Sequence, residues 1–206
     1  PKDQMTLLLA IEKDDKIHYA GDRCESFSYS HRVLPHSKFI AHRGWRIGIA
    51  GSSKFGTLLL QDGRWRSILG PAGEENIEQV FAFARSCQEI VAADGWKPEQ
   101  TERQPDNYSM GALVVSPIGI FVVCGAASVR QYGAGQLVAM GAGGDFAEGF
   151  WAGCHGLDKK RTVEQQMLAC LEAASKQSCS VAPPFDFGCI GVRPGARPML
   201  WEGGDR

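Results

Sequence analysis

In the segment Thr6–Ile11 (TLLLAI), every residue after Thr6 is apolar, at odd and even positions alike. A strand has this pattern when both of its faces are buried. The polar turn Glu12–Lys16 separates this stretch from a second short one, Ile17–Ala20. Strand, short turn and strand predict an antiparallel hairpin at this point of the chain.

Further short apolar stretches predict more strands. Lys38–His42 and Trp45–Ala50 flank Arg43-Gly44 and predict a second hairpin. The polar, proline-containing segment Arg103–Asn107 predicts a loop. The remaining predicted strands are Ala112–Ser116, Gly119–Cys124, Gln136–Met140, Phe185–Val192 and Pro198–Trp201.

Helical periodicity occurs in two separate regions. Apolar residues recur on one helical face in Glu75–Ala93, after a shorter predicted helix at Lys54–Gln61. A second pair is predicted at Asp145–Cys154 and Val163–Ser175, the latter with a capping signal at Thr162. Strands, helices, strands, helices and strands follow in that order. The order favours an α+β fold of two antiparallel sheets covered by helix pairs, rather than an alternating βαβ fold.

Length and composition narrow the class of protein. The 206 residues suit one domain, which we expect over residues 6–206, with residues 1–5 as a short N-terminal extension or propeptide. The net charge of −1 indicates neither a nucleic-acid nor a membrane-surface partner. We find no apolar window of membrane-spanning length and no secretory leader. The seven cysteines are irregularly spaced and mostly in apolar runs, which is typical of reduced thiols and predicts a cytoplasmic protein.

Three polar residues stand at the ends of predicted strands. Thr6 begins the first strand, Asp22 ends the second, and Lys38 begins the third, with a spacing of 16 residues in each case. Hydrolysis by an N-terminal threonine fits this set. A hydroxyl needs a base, and a threonine's own α-amino group, with an ordinary pKa of about 7.7–8.0, can serve. An ammonium at Lys38 would favour the alkoxide, and Asp22 would hold that ammonium in place.

The surrounding motifs resemble one known family. Ala20-Gly21-Asp22, then Lys38, then Ile49-Ala50-Gly51 resemble the proteasome β-subunit family, closest to its HslV-type ring peptidases and their smaller bacterial homologues. Gly141-Ala142-Gly143 is similar to the family's Gly-Ser-Gly motif, which opens a helix. The likeness extends from about Met5 to Val192.

The resemblance implies a fold, an activity and a set of site residues. The fold would be a four-layer αββα sandwich, and the subunits would be identical copies in a ring or stacked rings. The activity would be that of a threonine-type endopeptidase acting on peptides or unfolded proteins, without cofactor or metal. Thr6, Asp22 and Lys38 would be the catalytic threonine, aspartate and lysine, and Gly51 would be the oxyanion-hole glycine after a one-residue length difference. An AAA+ unfoldase is the implied partner.

Two departures from the family pattern leave other functions possible. Ala142 stands where the family has a serine, and five residues precede Thr6, so that its α-amine is not free unless Met5–Thr6 is cleaved. The alternatives are a latent or degenerate shell or scaffold protein of the same fold, and an amidase acting on a small amide. We also expect Trp65, between Arg64 and Arg66, to lie at a subunit contact.

Overall fold

The computed structural model describes residues 6–27, 30–51, 53–96, 99–101, 104–107, 110–125, 127–154, 160–178 and 180–195. The helices are α1 (Ser53–Asp62), α2 (Trp65–Ile68), α3 (Ile77–Ala93), α4 (Gly144–Cys154) and α5 (Val163–Gln177). The strands are β1 (Leu7–Lys13), β2 (Lys16–Asp22), β3 (Cys24–Phe27), β4 (Ser30–Val33), β5 (Phe39–His42), β6 (Trp45–Gly51), β7 (Glu99–Thr101), β8 (Gln104–Asn107), β9 (Met110–Ser116), β10 (Gly119–Cys124), β11 (Val129–Tyr132), β12 (Val138–Gly141) and β13 (Phe185–Gly191).

Two antiparallel sheets form the centre of the molecule. The four-stranded sheet has the order β12-β1-β2-β13, and the five-stranded sheet has the order β11-β10-β9-β6-β5. The predicted first hairpin is β1–β2, with Leu8 opposite Gly21. The predicted second hairpin is β5–β6, with Phe39 opposite Gly48. Both hairpins are confirmed, and each belongs to a different sheet.

Buried side chains fall into three clusters that correspond to the spaces between four layers. Alternate residues of β1 take part in two of them: Leu7 and Leu9 face α4 and α5, whereas Leu8 and Ala10 face the other sheet. The third cluster joins the five-stranded sheet to α1, α2 and α3. The first predicted strand is therefore buried on both faces, and the four-layer αββα arrangement is confirmed.

The helix predictions are also confirmed, with small differences in length. Helix α3 begins after Asn76, whose side chain accepts a hydrogen bond from the Gln79 N–H at 3.1 Å in a capping box. Helix α5 begins after Thr162 in the same way. None of the helices in the described part of the chain is long and apolar enough to cross a membrane.

Two expectations were wrong, and a third lies outside the described residues. Gln104–Asn107, expected as part of a loop, is strand β8, paired with β7. A proline is tolerated there because each strand of a two-stranded pair has an open edge. Trp65 is fully buried rather than at the surface. Its indole N–H donates to the Leu59 carbonyl at 2.6 Å, and its ring packs edge-on against Phe83. The predicted strand Pro198–Trp201 falls outside the described residues.

Candidate active site

Thr6, Asp22 and Lys38 come together from two sheets. Thr6 directly precedes β1 and Asp22 ends β2, so both lie at the ends of neighbouring strands of the four-stranded sheet. Lys38 directly precedes β5 of the five-stranded sheet. Packing of one sheet on the other brings the Lys38 side chain to the other two residues. All three groups are withdrawn from solvent: Thr6 is 4% exposed, and the Asp22 and Lys38 side chains are 0% and 10% exposed.

The Lys38 ammonium contacts three groups among the described residues. It donates to Thr6 Oγ1, and it lies 3.1 Å from each carboxylate oxygen of Asp22. It also donates to the backbone carbonyl of Cys24. An ammonium carries three protons and no acceptor, so these partners suffice to satisfy it.

The Asp22 carboxylate is held by backbone and side-chain donors at once. It accepts from the Leu7 N–H at 2.7 Å and from the Cys24 N–H at 3.0 Å. The Thr6 hydroxyl lies 3.3 Å from the same carboxylate and can donate to it. Burial raises the pKa of Asp22 above its ordinary value, and the Lys38 ammonium and the two N–H groups act in the opposite direction. The ion pair therefore offsets part of the desolvation of a fully buried carboxylate.

The geometry around the Thr6 hydroxyl has a chemical consequence. The oxygen accepts from a cation while its proton has a carboxylate acceptor nearby. A cation hydrogen-bonded to a hydroxyl oxygen stabilises negative charge on that oxygen, which makes the hydroxyl a better nucleophile. The arrangement is thus suited to nucleophilic attack by Thr6 Oγ1.

Gly51 ends β6, two residues beyond the pairing of the Ile49 N–H with the Lys38 carbonyl at 3.4 Å. Its φ of 94° lies in the region that residues other than glycine rarely adopt. The contacts that join Thr6, Asp22 and Lys38 do not include Gly51. Its backbone geometry nevertheless requires a glycine at the strand end.

Strand β12 contacts the Thr6 backbone, which sequence reasoning did not identify. Gly141 is paired with Leu7 and has a φ of 109°. A Cβ atom at Gly141 would lie only 1.8 Å from the Thr6 carbonyl oxygen. Ala142 follows directly in the chain. The glycine-rich motif was the available signal, but its contact with Thr6 depends on strand pairing between distant segments.

Backbone groups of Leu7 and Cys24 are the other site elements that sequence reasoning missed. A backbone N–H or carbonyl leaves no signature in residue type. No set of three or more His, Cys, Asp and Glu residues in the described ranges is arranged to hold a metal ion.

Comparisons with known proteins are informative at the level of structure. No protein-family model matches the sequence, and no curated protein matches it significantly. The bacterial proteasome homologue BPH of Thiobacillus denitrificans has a similar structure, with a TM-score of 0.76 and 19% identity over 92% of this chain and 100% of that chain. The same protein in complex with epoxomicin has a TM-score of 0.75 and 18% sequence identity, and the match covers 92% of this chain and 100% of that chain. HslV from Trypanosoma brucei has a TM-score of 0.65 and 20% sequence identity, and the match covers 90% of this chain and 99% of that chain.

These solved structures share both sheets and the flanking helices with this chain over nearly their whole length. At such low identity the likeness establishes the fold and leaves activity to be argued from the site. The chain has the proteasome-type fold of the N-terminal-nucleophile hydrolases.

Proposed function

We propose that this protein is a threonine-type endopeptidase subunit with Thr6 as nucleophile. The observation that carries the proposal is the hydrogen bonding of the Lys38 ammonium to Thr6 Oγ1 and to the Asp22 carboxylate. A buried lysine that contacts both a strand-terminal threonine and a carboxylate has an evident use in activating that hydroxyl. The proteasome-type fold is consistent with the same chemistry.

The reaction requires a free α-amine on Thr6. We propose that residues 1–5 form a removable extension to the single domain 6–206. After cleavage, the amine takes the Thr6 Oγ1 proton as the oxygen attacks the scissile carbonyl. The peptide bond then breaks, the proton passes to the leaving amine, and an ester joins the acyl group to Thr6. Water activated by the same amine hydrolyses that ester and regenerates the hydroxyl.

Lys38 and Asp22 have electrostatic and positioning roles in this scheme. Lys38 stabilises negative charge on Thr6 Oγ1, and Asp22 balances and orients the ammonium. The N–H of Gly51 would stabilise the oxyanion, which a glycine with positive φ at a strand end supports. The chemistry needs neither metal nor cofactor.

The assembly and its partners form part of the same proposal. Identical subunits would form a ring or stacked rings that enclose the sites, as the proteasome-type fold suggests. Peptides or unfolded proteins would be the substrates, and an AAA+ unfoldase would deliver them. The described cysteines are free thiols, which supports the reducing cytoplasm as the compartment.

Covalent labelling tests the nucleophile. A chain that begins at Thr6, released from a cleavable leader, is treated with the epoxyketone epoxomicin and weighed by intact-mass spectrometry. Reaction of an epoxyketone needs both the hydroxyl and the free amine, so we expect one adduct per chain. Thr6→Ala and the chain that retains residues 1–5 should give none. Thr57→Ala, which removes an exposed threonine of α1, is the matched control and should label fully. A folded, unlabelled chain with Thr6 at its terminus would contradict the proposal.

A shell or scaffold role is the second candidate, and Ala142 is the observation that favours it. Without the family's serine, hydrogen bonding to a Thr6 amine is reduced. The protein purified from its own source distinguishes the two, because a scaffold has no need to release Thr6. An intact Met5–Thr6 bond in every molecule would favour the scaffold, and a terminus at Thr6 would favour the peptidase.

A further inference from the structure

Arg23 lies between Asp22 and Cys24, and both of these neighbours have a group that contacts the Lys38 ammonium. Its own side chain takes another direction. The guanidinium donates through Nε at 3.0 Å and through Nη2 at 2.8 Å to the carbonyl oxygen of Leu34. It therefore holds the segment that leads directly into Lys38.

That segment lies outside regular secondary structure. Residues 34–38 belong to no helix or strand, and Pro35 has no N–H to donate. On the Lys38 side, the Phe39 N–H donates to Ser37 Oγ at 3.1 Å. At the other end, the Leu34 N–H donates to the Arg23 carbonyl at 2.8 Å. Arg23 thus contacts both backbone polar groups of Leu34.

Arg23 is itself fixed from the neighbouring strand. The backbone N–H of Arg23 donates to the Pro184 carbonyl at 3.0 Å, and the side-chain Nη1 lies 3.9 Å from Asp186 Oδ1 on β13. The Arg23 and Asp186 side chains are 25% and 32% exposed, so the pair is partly shielded from water. A planar guanidinium with five donors can serve a carbonyl and a carboxylate together, which a lysine cannot do in the same geometry.

We infer that Arg23 is a positioning residue for the proposed reaction. It anchors the 34–37 segment to the edge of the four-stranded sheet and so fixes where the Lys38 ammonium meets Thr6. The inference rests on the proposed function, because the positioned group is the proposed catalytic lysine. Displacement of a catalytic group by about 1 Å can reduce a rate about 100-fold. Loss of the Arg23 contacts could therefore slow the reaction even though Arg23 does not touch the Thr6 hydroxyl.

The test compares Arg23→Ala, Arg23→Lys and Arg64→Ala in the chain that begins at Thr6. Arg64 is the matched control, because it also pairs with a carboxylate, Asp62 at 2.7 Å, but is 56% exposed and lies in another layer. We expect the second-order rate constant of epoxomicin labelling to fall about 10- to 100-fold in Arg23→Ala, with partial recovery in Arg23→Lys. Arg64→Ala should match the unmodified chain.

The pH profile separates positioning from a general loss of structure. An ammonium close to the freed Thr6 amine would lower the pKa of that amine by repulsion between like charges, so displacement of Lys38 should let that pKa rise. The acid limb of the labelling profile should therefore move to higher pH in Arg23→Ala and stay in place in Arg64→Ala. An unchanged rate and profile in Arg23→Ala would overturn the role of Arg23.

Hydrogen exchange supplies a readout that does not need activity. The Arg23 guanidinium holds the Leu34 carbonyl, and its removal should loosen the segment that follows. We expect peptides that cover residues 34–39 to exchange fastest in Arg23→Ala, less fast but above the unmodified rate in Arg23→Lys, and at the unmodified rate in Arg64→Ala. Equal exchange in all variants would overturn the anchor, whatever the activity. Failure of the unmodified chain to label would instead count against the proposed function, and the exchange result would still decide the anchor. If Arg23→Ala does not fold, Arg23→Lys carries each comparison.

Discussion

At the scale of single residues, the Lys38 ammonium and the Asp22 carboxylate depend on each other. Each is a charge withdrawn from water, and each has the other as its opposite charge at 3.1 Å. Loss of one partner leaves the other buried and uncompensated, which is more unfavourable than the pair itself is favourable. The pair is thus coupled in stability as well as in the proposed chemistry.

A double-mutant cycle tests that coupling. Lys38→Met and Asp22→Asn should each lower the free energy of unfolding by about 3–5 kcal/mol, and the double variant should lose less than the sum. Denaturant unfolding gives the values. Lys54→Met, which breaks the ion pair between the 54%-exposed Lys54 side chain and Asp94, is the control and should lose no more than about 1 kcal/mol. Additive losses at Lys38 and Asp22 would show that the two charges are independent.

The pH dependence of the Lys38→Met variant follows from the raised pKa of Asp22. Burial raises the pKa of this carboxyl in the folded protein, and loss of the ammonium removes a cause that lowers it. A carboxyl whose folded pKa exceeds its unfolded value binds protons more tightly when folded, so acid stabilises the folded state through that group. We expect the stability deficit of Lys38→Met, relative to the unmodified chain, to narrow as the pH falls from neutrality toward the ordinary pKa of an aspartate. A constant or growing deficit in parallel denaturant titrations would contradict this sign.

At the scale of elements, β12 can pair with the start of β1 because Gly141 has no side chain. Gly141→Ala would place a methyl group 1.8 Å from the Thr6 carbonyl oxygen at a φ of 109°. We expect a loss of about 1–3 kcal/mol in unfolding free energy, together with slower epoxomicin labelling, since Thr6 must shift.

A matched glycine in the next helix controls for the substitution itself. Gly149 lies in α4, and a methyl group added there would have no neighbouring atom within 4 Å, so Gly149→Ala should stabilise the protein by about 0.5–1 kcal/mol. Calorimetry on both variants checks the contrast. Equal effects of the two substitutions would mean that Gly141 does not limit the approach of β12 to Thr6.

At the scale of the whole molecule, both helical layers present apolar side chains to solvent. Phe146 in α4 and Leu60 in α1 are 46% and 47% exposed. Contacts between copies of the chain would cover such residues, in keeping with the proposed ring. Native mass spectrometry should therefore find a closed oligomer, at a single whole multiple of the chain mass, at micromolar concentration. A monomer under those conditions would contradict the proposed assembly.

Much of the architecture can be predicted from the sequence because it is set by local pattern. The unbroken apolar run after Thr6 predicts a strand buried on both faces, and β1 divides its side chains between two clusters. Helix α5 begins where its capping residue, Thr162, predicts. Thr6, Asp22 and Lys38 could be singled out because residue type, strand ends and motif context coincide. Each of these signals is carried by neighbouring positions in the chain.

Only the tertiary structure decided which distant groups meet. The contact of Lys38 with Thr6 depends on the packing of two sheets, and the approach of Gly141 depends on strand pairing across the chain. Trp65 was mistaken for a surface residue because its arginine neighbours say nothing about the helix packed over it. The N–H groups of Leu7 and Cys24 hold Asp22 with atoms that every residue except proline possesses. Local sequence determines the elements, whereas long-range packing determines which backbone and side-chain groups come within hydrogen-bonding distance.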